Sequence, residues 1–319
     1  MAPLEEVTGY VFRNAYHAHF YPFDKYFAPF VAAKEQKGRL FNYKERNDIL
    51  PENNRGILLI PQILTNNSEA FIRTARGMRE YGYEEINLNL GCPSKTVVNG
   101  GRGSGFLQDR EGLRKFLDEI FEQLDMKISI KTRLGRYEPE EIGPLMEIFN
   151  GYPLEELIIH PRIQKDFYKY TPRMECYRTA YETSRHSLCY NGDLFSTADF
   201  QKLCHDFPLT EKVMLGRGVL QNPWLIGMLR STDPASSENL APADKELLRA
   251  FCEDLCAGYA RVISGDKNVL FKLKALWIYL GTSFTNPQKY LKKIKKSQHF
   301  GDYEAAVMSL FGEQEILKV

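Results

Sequence analysis

Hydrophobic and polar positions follow two rhythms along the first two thirds of the chain. Runs such as "EINLNLG" (85–91) and "KISIKTR" (127–133) alternate with the period of two that marks a strand. Stretches such as "SEAFIRTARGMREYG" and "REGLRKFLDEIFEQL" instead space their apolar residues as a helix does. "STADFQKLCHDF" (196–207) opens with a Ser or Thr placed to cap its helix. Further strands are predicted at "YFAPFVA" (26–32), "GILLIPQIL" (56–64), "ELIIHPR" (156–162), "SLCYNGD" (187–193) and "KVMLGRG" (212–218). Repeated strand–helix units imply a parallel sheet. Seven strands are visible, "MAPL" can supply the end of an eighth, and eight close a (β/α)₈ TIM barrel.

Past residue 240 the pattern turns helical, through "KELLRAFCEDLCAGYARVI", "NVLFKLKALWIYLGTSF", "QKYLKKIKKS" and "DYEAAVMSLF". The predicted fold class is therefore α/β, a TIM barrel over 1–238 followed by a smaller all-α helical domain over 239–319, with "SSENLAPAD" (236–244) at the join.

Composition changes this picture only locally. The 319 residues are 43% hydrophobic and 26% charged with a net charge of +1, so nothing global points to nucleic acid or membrane. No apolar run approaches the ~20 residues of a membrane span. "MAPLEEVTGYVFRNAYH" lacks the head and core of a signal peptide, which leaves the cytoplasm as the expected location. The six cysteines include no C-x-x-C pair and read as reduced thiols. Cys252 and Cys256 share a helix face without nearby partner ligands, so core packing is expected and no metal site. One field does stand out: residues 267–296 hold eight lysines and no Asp, Glu or Arg, the kind of surface that meets phosphate.

Chemistry collects at the strand ends. In a barrel, function sits at the C-terminal ends of the strands. Here those ends carry Gln62, then Asn89 and Cys92, Lys131 and Arg133, His160 and Arg162, Asn191 and Asp193, and Gly216 and Arg217. Their side chains would converge on one amide-rich, positive mouth. "NGDLFSTADF" and "LGRGVLQNPWLIG" place glycine turns before helices, an arrangement suited to a phosphate. A flavin mononucleotide fits the remaining groups, with Gln62 and Lys131 at its pyrimidine edge, where a cation stabilises the charge of the reduced ring.

The segments "APLEEVTGYVFR", "NLGCPSKTVVNGGRGSGFL", "KTRLG", "HPR", "NGD" and "LGRGVLQNPW" occur in the order and spacing of the tRNA-dihydrouridine synthases, which the chain resembles along essentially its whole length. The resemblance implies an FMN-binding barrel and a helical domain that together reduce particular uridines of tRNA with NADPH. It implies that Cys92 is the general acid. Pro3, Leu4, Glu5, Gln62, Lys131, His160, Asn191, Gly192, Asp193, Gly216 and Arg217 would bind the cofactor. Asn89 would face the uracil, while Lys95, Arg102, Arg133, Arg162, Lys292, Lys293, Lys295 and Lys296 would meet the RNA. The chain departs from the family motif at Glu5 and Glu6, where a small residue and a glycine are usual.

Those residues suit the implied reaction. Saturating the uracil 5,6 bond needs a hydride at C6 and a proton at C5. A thiol, with an ordinary pKa of about 8.5, stays protonated at neutral pH yet can yield its proton. The glycines of "SKTVVNGGRGSGF" would let the loop swing Cys92 over the base. A base in folded RNA must first be turned out, so affinity away from the mouth is needed, and the lysines would provide it. One tRNA across one monomer requires no partner subunit. Two other readings fit parts of the pattern: a dihydroorotate dehydrogenase-like enzyme acting on a free pyrimidine, and a non-catalytic RNA-binding protein.

Overall fold

The computed structural model describes residues 1–36, 38–231 and 244–317. Nine short strands carry the sheet: β1 (Tyr26–Phe27), β2 (Val31–Ala32), β3 (Leu59–Ile60), β4 (Gln62–Leu64), β5 (Glu85–Leu90), β6 (Lys127–Gly135), β7 (Leu157–Ile163), β8 (Leu188–Tyr190) and β9 (Lys212–Val213). All pairings among them are parallel, β1 with β3 and then β2-β4-β5-β6-β7-β8-β9 in order. The 26–32 and 56–64 runs, each predicted as one strand, are both interrupted. Pro29 and Pro61 have no N–H to give the ladder. Between the two halves the register also slips by one residue, from Phe27↔Ile60 to Val31↔Ile63.

Met1–Pro3 completes the circle. The Ala2 N–H donates to the Leu215 carbonyl at 2.8 Å and the Phe27 N–H donates to the Met1 carbonyl at 3.1 Å. This short segment thus bridges the two ends of the sheet as the eighth stave of a (β/α)₈ barrel.

The barrel inverts the usual inside–outside rule along part of its wall. Register places Gln62, Asn87, Asn89, Ser129, Lys131, Ile158 and Cys189 on one face, and Arg133 beside His160 on the same face. These positions alternate with Ile86, Leu88, Leu90, Ile128, Ile130, Leu157 and Ile159, all fully buried. The apolar set packs outward under helices such as Ser68–Arg79 and Arg110–Gln123, where Phe71 and Phe116 meet edge to face at 5.6 Å. The polar set faces the lumen and rises to the mouth.

At the opposite end, Lys25 joins the buried carboxylates of Glu85 (2.8 Å) and Glu156 (3.1 Å). Burial works to lower the Lys25 ammonium, but its hydrogen bond to Glu85 and the charge of Glu156 outweigh it and the pKa is raised. That contribution is present at neutral pH and is lost only as pH climbs past the ordinary lysine value. Lys25→Met strands both carboxylates and is expected to cost about 3 kcal/mol, read from the urea midpoint at pH 7.

By packing, the chain forms two compact units. One comprises Met1–Pro3, Lys25–Asp193 and Lys202–Leu215; the other comprises Leu4–Asp24, Leu194–Gln201 and Gly216–Val319. The expected 238/239 boundary lies outside the described residues. The second unit gathers the helices Tyr10–His19, Arg217–Gln221, Leu225–Arg230, Lys245–Val262, Asp266–Leu280, Gln288–Lys296 and Phe300–Glu313. Its core is aromatic. Phe251 meets Phe12 at 5.8 Å and Phe20 at 5.1 Å, and the Trp277 indole N–H donates to the Tyr303 hydroxyl at 2.8 Å. Cys252 is buried in the same core. The N-terminal helix carries no signal in the strand–helix rhythm, and its aromatic face belongs to this second core.

Candidate active site

The site grows out of the lumen's polar ladder. The Asn87 amide donates to Ser129 Oγ (2.9 Å), Gln62 Nε2 to Asn87 Oδ1 (2.7 Å), and Asn89 Nδ2 to Gln62 Oε1 (2.7 Å). The chain ends at the cysteine, because Asn89 Oδ1 accepts the N–H groups of Gly91 (3.1 Å) and Cys92 (2.9 Å). On the other side the Cys92 carbonyl accepts from the Ser104 N–H (3.1 Å) and hydroxyl (2.8 Å). Gln164 Nε2 holds the Pro93 carbonyl at 3.1 Å. Cys92 is thus fixed through its backbone from three directions, with its side chain partly exposed.

The loop after Cys92 differs from the expected glycine tether. It folds into a helical turn (Lys95–Asn99) and a 3₁₀ segment (Gly103–Gln108) that bury Val97, Val98, Phe106 and Leu107. Its glycines serve close approach. Gly103 sits at φ 56°, where a Cβ would stand 2.8 Å from the Cys92 carbonyl oxygen. Lys95 and Arg102 stand on this loop, and their side chains make no hydrogen bond or ion pair with any described residue.

Around the cysteine the cations divide into two kinds. Arg133 and Arg162 are each 1% exposed, and most of their donors are taken up inside the protein. Arg133 reaches the carbonyls of Gly91 (2.9 Å), Ile163 (2.9 Å) and Phe167 (3.0 Å). Arg162 grips both oxygens of Asp193 (3.0 and 2.5 Å), the Tyr170 carbonyl (2.5 Å) and His160 Nε2 (2.8 Å). Both are expected from the sequence to meet substrate; in the structure both are buried and bonded to groups of the protein.

Lys131 is the other kind. Its ammonium makes no hydrogen bond or ion pair with any described residue. Burial, reinforced by the nearby Arg133 charge, lowers its ammonium from the ordinary 10.5 to about 8. The unfolded chain therefore holds a proton between about pH 8 and 10.5 that the folded chain has lost, so stability rises with pH across that window. Lys131→Met should stabilise the ligand-free protein at pH 7 by on the order of 2 kcal/mol, discounted for the partly exposed tip. The gain should shrink towards pH 10, as urea unfolding at the two pH values would show. A stabilising substitution at a strand end is the mark of a residue kept for its ligand.

Asn191 donates to the Met214 carbonyl at 2.7 Å, and a Cβ on Gly192 would collide with the Tyr190 hydroxyl at 2.0 Å. Gln62, Asn89, Cys92, Lys131, Arg133, His160, Arg162, Asn191, Gly192 and Asp193 therefore come together in one unit, as does Pro3. Leu4, Glu5, Gly216, Arg217 and the lysines belong to the second unit. There the Leu4 N–H donates to Thr8 Oγ1 at 2.7 Å, and the Arg217 guanidinium lies 5.4 Å from the Phe195 ring. One expected anion turn proves self-satisfied. The Asp199 carboxylate accepts the N–H groups of Phe195 (2.9 Å) and Ser196 (3.0 Å) ahead of the helix Thr197–Asp206. Gly216 precedes its helix without such a side-chain cap. Glu6 takes φ 67°, the left-handed region that suits the family's glycine, and its carboxylate pairs with Lys272.

Of the eight lysines, Lys272 is held by Glu6, Lys274 donates to the Ser297 carbonyl and Lys289 pairs with Glu313. Lys292, Lys293, Lys295 and Lys296 are exposed on Gln288–Lys296, whose Tyr290 and Ile294 are buried, and none of their ammonium groups makes a hydrogen bond or ion pair with a described residue. Among the described residues no helix is long and apolar enough to cross a membrane, and no three His, Cys, Asp or Glu are grouped to hold a metal ion.

Sequence reasoning missed several participants. Asn87 and Ser129 were readable from strand alternation, since both share the phase of Asn89 and Lys131. Tyr168, whose ring lies 5.7 Å from His160 and 5.5 Å from the Arg133 guanidinium, had no such signal because it stands on an irregular loop.

A parallel barrel with its amides, cations and one cysteine gathered at the C-terminal mouth has the layout that barrel enzymes share. Solved structures agree on the fold. A variant of NCR from Zymomonas mobilis superposes with a TM-score of 0.51 at 13% identity, covering 79% of this chain and 89% of that one. Histamine dehydrogenase from Rhizobium sp. 4-9 gives 0.55 at 10% identity, covering 86% and 48%. The family model of dihydrouridine synthase (Dus) matches residues 1–313, and the chain belongs to that family. A probable tRNA-dihydrouridine synthase of Rickettsia prowazekii is 26% identical over 181 residues, 56% of this chain and 55% of that protein. A probable tRNA-dihydrouridine synthase of Staphylococcus epidermidis is 26% identical over 240 residues, 70% and 69% respectively. The tRNA-dihydrouridine synthase B of Pasteurella multocida is 27% identical over 168 residues, so the match spans half of its length.

Proposed function

We propose that this chain is an FMN-dependent tRNA-dihydrouridine synthase that reduces the C5=C6 bond of particular uridines in tRNA, with NADPH as electron donor. The observation that carries the reading is Lys131: a desolvated ammonium with no hydrogen-bond or ion-pair partner among the described residues, in register with Asn89, which anchors the backbone of Cys92. Such a cation gains most from a ligand that presents an acceptor and develops negative charge, which fits the pyrimidine edge of a flavin. Gln62, Lys131 and His160 would hold the ring, Asn191, Gly192 and Asp193 the chain beyond it, and Pro3, Leu4 and Glu5 would line it. Of the two anion turns, the one at Gly216 and Arg217 would take the phosphate, since no side-chain cap closes the start of its helix.

When bound and reduced, FMN supplies the hydride for uracil C6. The residues of this chain do the rest. Cys92 carries its proton at the mouth and delivers it to C5, leaving a thiolate within electrostatic reach of Lys131 and Arg133. Asn89 orients the cysteine backbone and leaves the uracil one amide-lined wall. Arg133 and Arg162 act from behind, the first by fixing Gly91 and the second by fixing His160. Lys95 and Arg102 on the cysteine loop, with Lys292, Lys293, Lys295 and Lys296 on the helical unit, would take RNA phosphates.

The cofactor is tested by releasing and weighing the chromophore of the purified protein. FMN supports the reading, and a protein that neither retains nor rebinds FMN overturns it.

A further inference from the structure

Resting on the flavin-site reading of His160, we propose that Arg162 is a positioning residue that locks His160 as the neutral imidazole protonated on Nδ1. Arginine has only donors, so the 2.8 Å contact between its Nη1 and His160 Nε2 makes that ring nitrogen the acceptor. A nitrogen that accepts carries no proton, and the ring proton must sit on Nδ1. Protonating Nε2 as well would press an imidazolium against a guanidinium.

The arginine cannot turn away. It is 1% exposed, and three of its four other donors are fixed by Asp193 (3.0 and 2.5 Å) and the Tyr170 carbonyl (2.5 Å). The bidentate fork sets the guanidinium plane, and with it the direction of the N–H given to His160. The other charged groups near the ring favour the same state. Arg133 is its register neighbour on β6, and the Tyr168 ring covers it at 5.7 Å. The Asp193 carboxylate is engaged by the arginine. His160, itself 6% exposed, is therefore held as the neutral Nδ1–H tautomer, and the proton-responsive cation of the same wall is Lys131.

The test is ¹⁵N NMR of the flavin-free protein labelled at histidine, with the His160 signals assigned from their loss in His160→Gln. The lock predicts Nδ1 protonated and Nε2 bare, unchanged from about pH 8 to below pH 6, through the range where a free histidine titrates. In Arg162→Met, or in the milder Asp193→Asn that frees the fork, His160 should begin to titrate near its ordinary pKa of about 6.5 or exchange tautomers. A wild-type His160 that carries its proton on Nε2, or that titrates near 6.5, overturns the proposal even if neither variant folds. Because the protein is measured without flavin or tRNA, that result leaves the proposed reaction standing.

Discussion

Cys92→Ala is expected to keep FMN and to keep oxidising NADPH, while dihydrouridine formation falls by about 10²- to 10⁴-fold, the usual contribution of a placed general acid. The substitution is unusually clean. The Cys92 N–H is held by Asn89 Oδ1 and its carbonyl by Ser104, so the backbone stays in place when the sulfur is removed. Cys92→Ser should not rescue, because a hydroxyl is a far weaker acid than a thiol. Dihydrouridine in the product tRNA, weighed against NADPH consumed, separates the two half-reactions. Full dihydrouridine formation by Cys92→Ala would remove the thiol from the chemistry.

Replacing Lys292, Lys293, Lys295 and Lys296 together by alanine should weaken tRNA binding on the order of 10²-fold at physiological salt and flatten its salt dependence by about three phosphate contacts. The flavin content should not change. These lysines are the ones to replace because Lys272, Lys274 and Lys289 already have partners within the protein. The helix should survive, since alanine favours it and Tyr290 and Ile294 still anchor its buried face. Filter binding across a salt series reads both quantities. An unchanged affinity would move the RNA contact elsewhere.

The barrel wall was legible because two physical demands coincide on it. In β5 and β6 the outward face must be apolar to pack helices and the lumen face carries the polar site, so Asn89 and Lys131 stand out by phase alone. What escaped the sequence depends on contacts distant along the chain. Pro29 and Pro61 break the first ladders, yet nothing nearby predicts the one-residue slip between the halves. The glycines around Gly103 read as freedom, whereas they permit a close approach to Cys92 that only the folded loop reveals. The internal bonds of Arg133 and Arg162 could not be read, because a strand end does not disclose which carbonyls the return loop will bring back. Asp199 could have been read as a cap from its spacing to Ser196, which would have removed one of the two anion turns. Glu6 keeps a glycine's backbone angle where its side chain finds Lys272, a pairing across 266 residues that no local pattern announces.

The central claim is that electrons pass from this protein's flavin to a uridine of tRNA. Reducing the bound flavin under anaerobic conditions, adding tRNA from cells lacking dihydrouridine, and following flavin reoxidation by absorbance tests it most directly. Reoxidation by that tRNA and not by orotate is the predicted result. Reduced flavin that is indifferent to tRNA but reoxidised by orotate would contradict the account and turn it to a free pyrimidine.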